Sequence, residues 1–330
     1  MQTKIQFSIV VPVVNRPNEI EEFLESLSCQ TDKDFEIIIM EGQSTLPCDE
    51  VCKKYSKVLD IKHIKNEIIS RSTRRNLGIE AASGNYVLLF DSDCILPPQY
   101  IEMLRKNLTE NYVDCFGGAD NAHKSFNTLQ KAINYSMTSL FTTGGIRGAT
   151  NKTDKFLPRA FNMGFSKEVY EKTGGYDEII GEDIDLSMRI KEAGFSVKLI
   201  KDAFVYHKRR LTLKKFYKQT YTFGRARIVF GKRHKGSLKI IHLLPACFTF
   251  GNILLVCASI IFCCAWLLLP VITYIFAIFI DSLMKNKKLS ISLLSILTSY
   301  IQLFGYGFGF FDELITHRVS KKTAEKMYRQ

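Results

Sequence analysis

The chain has 330 residues, of which 46% are hydrophobic and 24% charged, and its formal net charge is +12. This composition excludes a disordered or fibrous protein and is sufficient for one large domain or two smaller ones. The nine cysteines show neither a disulfide framework nor the spacing of a zinc knuckle, so we expect reduced thiols packed as small hydrophobic side chains.

Strands and helices alternate along the first third of the chain. Apolar, β-branched runs predict strands over residues 7–13, 35–40, 59–64 and 86–90. The first strand is followed by an amphipathic helix, and a second helix over 74–82 is followed by Gly84 as a stop. This alternation is typical of a parallel sheet with helices on both faces.

The alternation becomes irregular beyond Asp93. We predict a helix after Pro97-Pro98 and a strand near 113–117. The stretch 142–155 contains Gly, Thr and Lys and predicts a mobile loop. The sequence shows no internal repeat.

Two carboxylates, Asp91 and Asp93, follow the apolar run 86–90. In open α/β sheets ligands bind beyond the carboxyl ends of the strands, and residues two apart in a strand point the same way. The pair can therefore present oxygen ligands to a hard divalent cation that holds a diphosphate. Asp-Ser-Asp is also ordinary turn chemistry, so the residues alone leave both interpretations open.

A second acidic group opens an amphipathic helix at 181–190, with Glu182, Asp183 and Asp185 close together. Carboxylates at a helix N-terminus cap free amides and favour the helix dipole, but capping does not require three of them. A carboxylate in this position stays ionised at neutral pH and can accept a proton from a hydroxyl group. Asp183 is therefore our candidate general base.

The C-terminal part of the chain has the composition of a membrane segment. Residues 243–280 and 289–311 contain no charged side chain. One helix over the first run would extend about 57 Å, nearly twice the ~30 Å hydrocarbon core, so this run predicts two spans or a hairpin. The candidate spans are 243–262, 264–282 and 289–311, within a helical membrane region over 239–330 that ends in a basic tail.

Basic residues are concentrated just before the first apolar run. Twelve lysines and arginines lie between Lys208 and Lys239, as the positive-inside rule expects of a cytoplasmic segment. No signal-peptide pattern is apparent at the N-terminus, so we expect the preceding domain in the cytoplasm, at the cell membrane. Because the positive charge lies beside apolar spans, anionic lipid headgroups are the better partner, and we expect no nucleic acid.

Six motifs in order resemble those of family 2 glycosyltransferases over roughly residues 5–230. They are Phe7-Ser8-Ile9-Val10-Val11-Pro12, Glu36-Ile37-Ile38-Ile39-Met40-Glu41, Arg75-Asn76-Leu77-Gly78-Ile79, Asp91-Ser92-Asp93, Gly174-Gly175-Tyr176-Asp177 and Gly181-Glu182-Asp183-Ile184-Asp185. The resemblance implies the GT-A fold, a Rossmann-like α/β nucleotide-diphospho-sugar transferase domain, here over 1–238. It also implies inverting transfer of a sugar from a nucleotide donor.

The resemblance assigns roles to particular residues. The nucleotide-sugar site would comprise Val11, Pro12, Glu41, Arg75, Asp91, Ser92 and Asp93. Mg²⁺ or Mn²⁺ would be held by Asp93, Asp91 and His207, and it would neutralise charge on the leaving diphosphate. The acceptor side would include Asn162, Glu182 and Asp183, with Asp183 as the base. From the residues alone, Arg75 is equally well a solvated helix charge, and a lone histidine such as His207 is more often structural.

Departures from the family pattern bear on the donor and the product. Gly42 stands where many members have a second acid, and Val14 stands where an aromatic residue is common. These changes leave guanosine and thymidine diphosphate sugars open beside a uridine diphosphate sugar. Thr222-Phe223 replaces the Arg-Trp of processive polysaccharide synthases, which favours transfer of a single sugar to a lipid-linked or growing glycan acceptor. The alternatives are a processive synthase, a nucleotidyltransferase and a non-catalytic membrane scaffold that keeps the fold.

Overall fold

The computed structural model describes residues 4–121, 126–144, 156–207 and 212–316. Within them the chain forms two compact units. The first contains 4–121 and 156–207, and the second contains 126–144 and 212–316. Helices and strands are numbered along the whole chain.

The first unit is an α/β layer structure built on one mixed sheet. Its strands are β1 (Phe7–Val13), β2 (Phe35–Glu41), β3 (Ile61–Lys65), β4 (Tyr86–Phe90), β5 (Cys94–Ile95), β6 (Cys115–Asn121), β7 (Asn162–Ser166) and β8 (Val197–His207). Its helices are α1 (Pro17–Ser28), α2 (Asp49–Tyr55), α3 (Arg71–Glu80), α4 (Tyr100–Glu110), α7 (Lys167–Thr173) and α8 (Glu182–Glu192).

The strand order across the sheet is β3-β2-β1-β4-β7-β6-β8-β5. The first four strands in this order are parallel to their neighbours. β7 runs antiparallel between β4 and β6, and β8 is parallel to β6. The predicted α/β class is therefore confirmed, with a parallel half joined to a mixed half.

Helices cover both faces of the parallel half, which explains its continuous apolar strands. Every residue of β1, β2 and β4 is buried. Helix α1 buries Phe23, Leu24 and Leu27 against one face, and each such side chain contributes about 1.5–3 kcal/mol. Helix α3 lies so close to the other face that a Cβ at Gly78 would collide with Val10 and Met40.

Most predicted boundaries agree with the structure within a few residues. β1 and β4 have the predicted ends, whereas α3 begins three residues earlier than predicted. Ser70 caps that helix, because its side chain accepts a hydrogen bond from the Thr73 amide at 3.3 Å. Of the predicted loop 142–155, residues 145–155 lie outside the described residues, and Thr142 and Thr143 belong to α6.

The second unit is helical. It contains α5 (Thr128–Thr138), α6 (Leu140–Thr143), α9 (Leu213–Arg233), α10 (Leu244–Ile261), α11 (Leu269–Asn286) and α12 (Leu289–Thr316). Three helical stretches are long and apolar enough to cross a membrane, namely Ile240–Ile261, Ala265–Asn286 and Leu289–Thr316. They correspond to the three predicted candidate spans.

Helix α9 belongs to the second compact unit, where it packs along α12. The catalytic domain predicted over 1–238 includes this helix, and that boundary stays a prediction. At Gly224 the two backbones approach so closely that a Cβ would collide with main-chain atoms of Tyr306 and Phe310. Arg225 also pairs with the fully buried Glu313, with Nε 2.8 Å and Nη2 2.7 Å from the same carboxylate oxygen. Close packing and a buried ion pair thus hold α9 to α12, the helix that contains the predicted candidate span 289–311.

Candidate active site

The predicted site residues of the first unit lie at the carboxyl edge of the sheet, where the parallel strands end. β1, β2, β4 and β8 end at this edge, and the antiparallel β7 begins there. Residues that follow one strand therefore meet residues that follow another, although they are far apart in sequence.

Asp93 and His207 meet because β5 pairs with β8. Cys94 lies opposite His207 in that antiparallel ladder, which brings His207 Nε2 within 3.2 Å of Asp93 Oδ1. The imidazole ring stacks on Phe161, with ring centroids 4.6 Å apart. Arg16, which follows β1, places Nη1 3.8 Å from Asp93 Oδ2. The strand-end carboxylate thus lies between an imidazole and a guanidinium.

These groups fit a divalent cation. One ligand atom each from Asp93, Cys94 and His207 lies within 4.8 Å of the other two. The Cys94 thiol donates a hydrogen bond to the Phe161 carbonyl oxygen at 3.3 Å, which leaves oxygen and nitrogen as the better donors. Burial raises the pKa of Asp93, but the neighbouring His207 outweighs it and the pKa is lowered, so the carboxylate is ionised. The Asp93 carboxylate suits a hard divalent cation such as Mg²⁺ or Mn²⁺, and the imidazole nitrogen also suits other transition metals.

Arg75 connects the strand-end acids to the acids of α8. Its side chain is 1% exposed, and its two terminal nitrogens each lie 2.8 Å from a carboxylate oxygen, one of Asp91 and one of Glu182. The guanidinium also lies over the Tyr176 ring, 5.1 Å from its centroid. Burial raises the pKa of Asp91, but Arg75 outweighs this and the pKa falls well below its usual range. One buried cation therefore fixes the end of β4 against the start of α8.

Asp183 lies at the start of α8, next to this cluster. Gly181 caps the helix with φ of 77°, a left-handed conformation that glycine adopts without strain. Oδ1 of Asp183 accepts a hydrogen bond from the Ile184 amide at 2.8 Å, and the side chain is close enough to Arg75 and Tyr176 to affect the pKa of each. Asp183 is partly exposed, whereas Glu182 is mostly buried. The first turn of α8 thus presents one of its predicted acids to solvent.

The residues predicted for the nucleoside lie at the same edge of the sheet. Val11 and Pro12 are buried within β1. Glu41 is 1% exposed, and its carboxylate accepts from the Cys48 amide at 3.1 Å and lies 2.8 Å from His63 Nε2. Both Glu41 oxygens therefore have protein partners.

Two further predicted residues have partners inside the protein. Asn162 is fully buried; it accepts from the Tyr100 hydroxyl at 2.6 Å and donates to the Ala203 carbonyl at 2.8 Å. Ser92 donates to Glu19 at 2.9 Å. The structure therefore gives Asn162 the contacts of a residue that ties β7 to its neighbours.

A group of hydrogen-bond donors near Gly42 was not predicted. Arg74 is 6% exposed and donates to the Ile68 carbonyl at 2.7 Å, while its Nε has no hydrogen-bond partner among the described residues. Burial, together with Arg71 and Arg75, lowers the pKa of Arg74 to about 10. The buried Nδ2 of Asn66 likewise has no partner within the described part of the chain. The Cβ that Gly42 lacks would collide with Arg74, so glycine at this position makes room for the guanidinium.

The sequence offered a signal for these donors. Three arginines, Arg71, Arg74 and Arg75, occur within five positions of one helix, which concentrates hydrogen-bond donors just after β3. Arg16 follows β1 at the same edge and could have been selected on that ground.

A Rossmann-like sheet with an acid pair at its central edge, an imidazole beside it and a helix-opening acid opposite defines a GT-A nucleotide-sugar transferase. The chain belongs to glycosyl transferase family 2, whose sequence profile matches residues 8–174.

Relatives support this assignment over different lengths of the chain. Glycosyltransferase GlyA of Streptococcus pneumoniae is 36% identical over 110 residues, which are 33% of this chain but only 16% of GlyA. A Methanococcus voltae relative is 26% identical over 322 residues, covering 91% of this chain and 95% of its own. It is named dolichyl N-acetyl-alpha-D-glucosaminyl phosphate 3-beta-D-2,3-diacetamido-2,3-dideoxy-beta-D-glucuronosyltransferase.

Solved structures share the fold. The mannosyltransferase PcManGT from Pyrobaculum calidifontis, in complex with GDP-Man and Mn²⁺, has a TM-score of 0.61 at 15% identity. The match covers 96% of this chain and 89% of PcManGT. Staphylococcus aureus TarS 1-349 in complex with UDP-GlcNAc has a TM-score of 0.50 at 16% identity, covering 95% and 93% of the two chains.

Proposed function

We propose that this glycosyltransferase is inverting and metal-dependent, and that it moves one sugar from a nucleotide-diphosphate sugar to a lipid-linked or growing glycan acceptor at a membrane. The observation that carries the proposal is the Arg75 bridge between Asp91 and Glu182. It brings the acids expected to serve the donor close to the helix that begins with the candidate base. The predicted catalytic domain over 1–238 remains part of the proposal for the activity, although the compact unit ends earlier.

A bound Mg²⁺ or Mn²⁺, held by Asp93 with Asp91 and His207, would supply positive charge to the leaving diphosphate. The PcManGT complex supports this, because that protein has a similar fold and is in complex with GDP-Man and Mn²⁺. Arg71 adds fixed positive charge near Asp91, where it helps lower the pKa of that carboxyl.

Asp183 would take the proton from the acceptor hydroxyl as the oxygen attacks the anomeric carbon. The new glycosidic bond forms on the face opposite the bond to the diphosphate, which breaks and keeps its electron pair. One displacement inverts the anomeric centre and requires no covalent enzyme intermediate. This role is supported by the partial exposure of Asp183 beside buried neighbours that fix its helix.

The donor is most consistent with a uridine diphosphate sugar. Asn66 and Arg74 offer donors at the carboxyl edge of β2 and β3, and uracil presents two carbonyl acceptors. Guanine presents two donor groups, N1–H and the N2 amino group, whereas uracil presents only N3–H, and the Glu41 oxygens that could accept from them already accept from Cys48 and contact His63. The TarS complex contains UDP-GlcNAc and the PcManGT complex contains GDP-Man. Proteins of similar fold therefore bind donors with either base.

The acceptor is proposed to be lipid-linked because the Methanococcus voltae relative, similar over almost its whole length, is named for a dolichyl-linked acceptor. Three apolar helical stretches in this chain are consistent with catalysis at a membrane. We propose that the catalytic unit faces the cytoplasm, where nucleotide sugars are made.

Replacing Asp183 with Asn tests the mechanism. We expect transfer to fall by about 10²–10⁴-fold, the typical contribution of a general base. The full-length protein in native membranes would be assayed for nucleotide release from a panel of nucleotide sugars, together with product length. Purified protein would be tested for a thermal shift with UDP, GDP or dTDP, each with and without MnCl₂.

The control is Glu192→Gln, an exposed acid at the other end of α8. Asp183→Asn should keep the wild-type nucleotide shift, and Glu192→Gln should keep both the shift and the turnover. Wild-type turnover in Asp183→Asn would refute the base assignment. A product ladder of many sugars would instead show a processive synthase.

A further inference from the structure

Helices α10 and α11 expose an apolar surface that the rest of the second unit does not cover. Only 11% of the most apolar segment of each of the first two candidate spans is buried, against 39% for the third. Leu254, Ile260, Phe262 and Trp266 are between 69% and 79% exposed. Residues 262–268, which include a short 3₁₀ segment over Ala265–Leu268, join the two helices. The rings of Phe248 in α10 and Tyr274 in α11 lie 4.8 Å apart between centroids, so the two helices form a hairpin.

The lower part of each arm is packed against other helices of the unit. In α10, the Thr249 hydroxyl donates to the Leu303 carbonyl at 3.0 Å, and Phe250 lies 4.1 Å from the Phe311 ring centroid. In α11, the Tyr274 hydroxyl donates to the Phe141 carbonyl at 2.9 Å. Further along α11, the Asp281 carboxylate accepts a hydrogen bond from the Tyr135 hydroxyl at 2.6 Å. These contacts hold one side of each lower part, while its outer side stays apolar and exposed, as Leu244 and Phe276 show at 58% and 59%. The part of the hairpin beyond these contacts, called the free part here, is residues 251–273.

The free part is too short to cross a bilayer. Residues 251–261 extend about 16 Å as a helix, roughly half of the ~30 Å hydrocarbon core. The lower parts lie beside α5, which carries Lys131, and α12, which packs on the basic α9. Moving the whole hairpin across the membrane would draw those helices into the hydrocarbon.

The turn at the tip is uncharged and closed in part by its own hydrogen bonds. No residue from Leu243 to Ile280 is charged. The amides of Phe262, Cys263 and Cys264 donate to the carbonyls of Ala258, Ile260 and Ser259, at 2.9, 3.3 and 3.0 Å. Cys263, with φ of 48°, supplies the left-handed residue that reverses the chain. These hydrogen bonds lower the cost of placing the exposed tip in hydrocarbon, where each unpaired backbone group is expensive.

The contacts of helix α12 argue against a third crossing. It packs backbone to backbone on α9 at Gly224, and its Glu313 forms a buried ion pair with Arg225. Helix α9 carries seven lysines and arginines, and each is costly to place in hydrocarbon. The two helices are therefore expected to stay together at the membrane surface.

We propose that α10 and α11 form a re-entrant hairpin that inserts into one leaflet of the bilayer and leaves on the side from which it entered. The proposal rests on the membrane location in the proposed function and goes beyond it by setting the number of crossings at zero. The exposed Lys239, Lys285, Lys287 and Lys288 lie at the base of the hairpin, where they meet anionic headgroups.

Thiol labelling tests the depth of the tip. The full-length protein would keep Cys29 and Cys263, with Cys247, Cys257 and Cys264 replaced by alanine. A membrane-impermeant maleimide would be applied to intact cells, to inverted vesicles and after detergent. We expect Cys29, which is exposed on the first unit, to react in inverted vesicles, and Cys263 to react only after detergent.

Two added reporters, Lys287→Cys and Thr316→Cys in separate variants, mark the ends of α11 and α12. Both should react in inverted vesicles, as Cys29 does. Labelling of Cys263 in intact cells would show two crossings, and labelling of Thr316→Cys there would show that α12 crosses. Labelling of Cys263 in inverted vesicles would show that the tip is not inserted. Each of these results overturns the proposal.

A charge at the tip gives a second measurement. Phe262→Arg should weaken partition of the purified protein into phosphatidylcholine–phosphatidylglycerol vesicles at high salt by about 100-fold, since an arginine would enter the hydrocarbon. Ile240→Arg is the matched control, because Ile240 is 82% exposed at the base of the hairpin, where a charge meets headgroups. Equal partition of both variants and the wild type would overturn the hairpin.

These outcomes are distinct from a failure of the proposed function. An active enzyme with Cys263 labelled from the far side would overturn the hairpin and leave glycosyl transfer intact. A correctly inserted hairpin in a protein that binds no nucleotide would do the reverse.

Discussion

The Arg75 bridge leads to a prediction about folding as well as catalysis. Removing the guanidinium in Arg75→Met leaves the carboxylates of Asp91 and Glu182 without their shared cation. Breaking a buried ion pair by removing one partner costs about 3–5 kcal/mol. We expect about 3 kcal/mol here, because Asp91 keeps 26% of its side chain exposed and Glu182 keeps 12%. Arg75→Lys should recover only part of this, since an ammonium group cannot span both carboxylates as the planar guanidinium does.

The assay must report on the first unit. The single tryptophan, Trp266, lies in the second unit, so fluorescence would follow the wrong part of the chain. Cys48 and Cys52 are buried in the first unit, and burial raises the pKa of Cys52 to about 12, so both thiols are protected until that unit opens. Their rate of maleimide labelling against urea concentration therefore gives the opening free energy of the unit.

A double-mutant cycle identifies the cause of the loss. Adding Glu182→Gln to Arg75→Met removes one of the two uncompensated charges, so the double variant should lose less stability than the sum of the single variants. Strict additivity, or a loss below about 1 kcal/mol for Arg75→Met, would refute the argument that this cation holds the two acids together.

Two further predictions concern stability. Burial alone would raise the pKa of Glu36, but hydrogen bonds from Lys62, Ser8 and the Ser83 and Gly84 amides lower it from 4.5 to about 2. This group therefore stabilises the fold above its unfolded pKa, and the contribution is lost as the pH falls toward 2. Glu36→Gln should cost about 3 kcal/mol near pH 7, measured by Cys48 labelling, and should flatten the pH dependence of the urea midpoint below pH 5, measured by circular dichroism. In the second unit, Gly224→Ala should cost about 1–3 kcal/mol because the new methyl group forces α9 and α12 apart. Gly251→Ala, which has open space around it, should be neutral or stabilising when thermal unfolding is followed by Trp266 fluorescence; equal melting temperatures for the two variants would contradict the close packing.

The local patterns of the sequence predicted the parallel half of the sheet well. β4 is a continuous apolar run between Asn85 and Asp91, and β1 is an apolar run interrupted only by Ser8, so both strands were recognised correctly. The start of α3 was missed because its first turn, which follows Ser70, is polar and carries no apolar periodicity. The three apolar helices were recognised from composition alone.

The parts that depend on contacts between distant residues could not be predicted. Arg75 and Glu182 are separated by 107 positions, and no local pattern shows that a helix arginine will be buried between two acids. The pairing of α9 with α12 depends on glycines whose role appears only when the two backbones meet. The acids themselves were found because Asp91 and Asp93 end a strand and Asp183 opens a helix, both of which are local features.

The ladder between β5 and β8 has a consequence for how this enzyme can diversify. Cys94 lies opposite His207 through main-chain hydrogen bonding, so the spacing between Asp93 and the imidazole is set by the peptide backbone. Neighbouring side chains can then be exchanged over evolutionary time without moving the two groups apart. A lineage could alter its sugar or its acceptor while inheriting the same placement of Asp93 and His207.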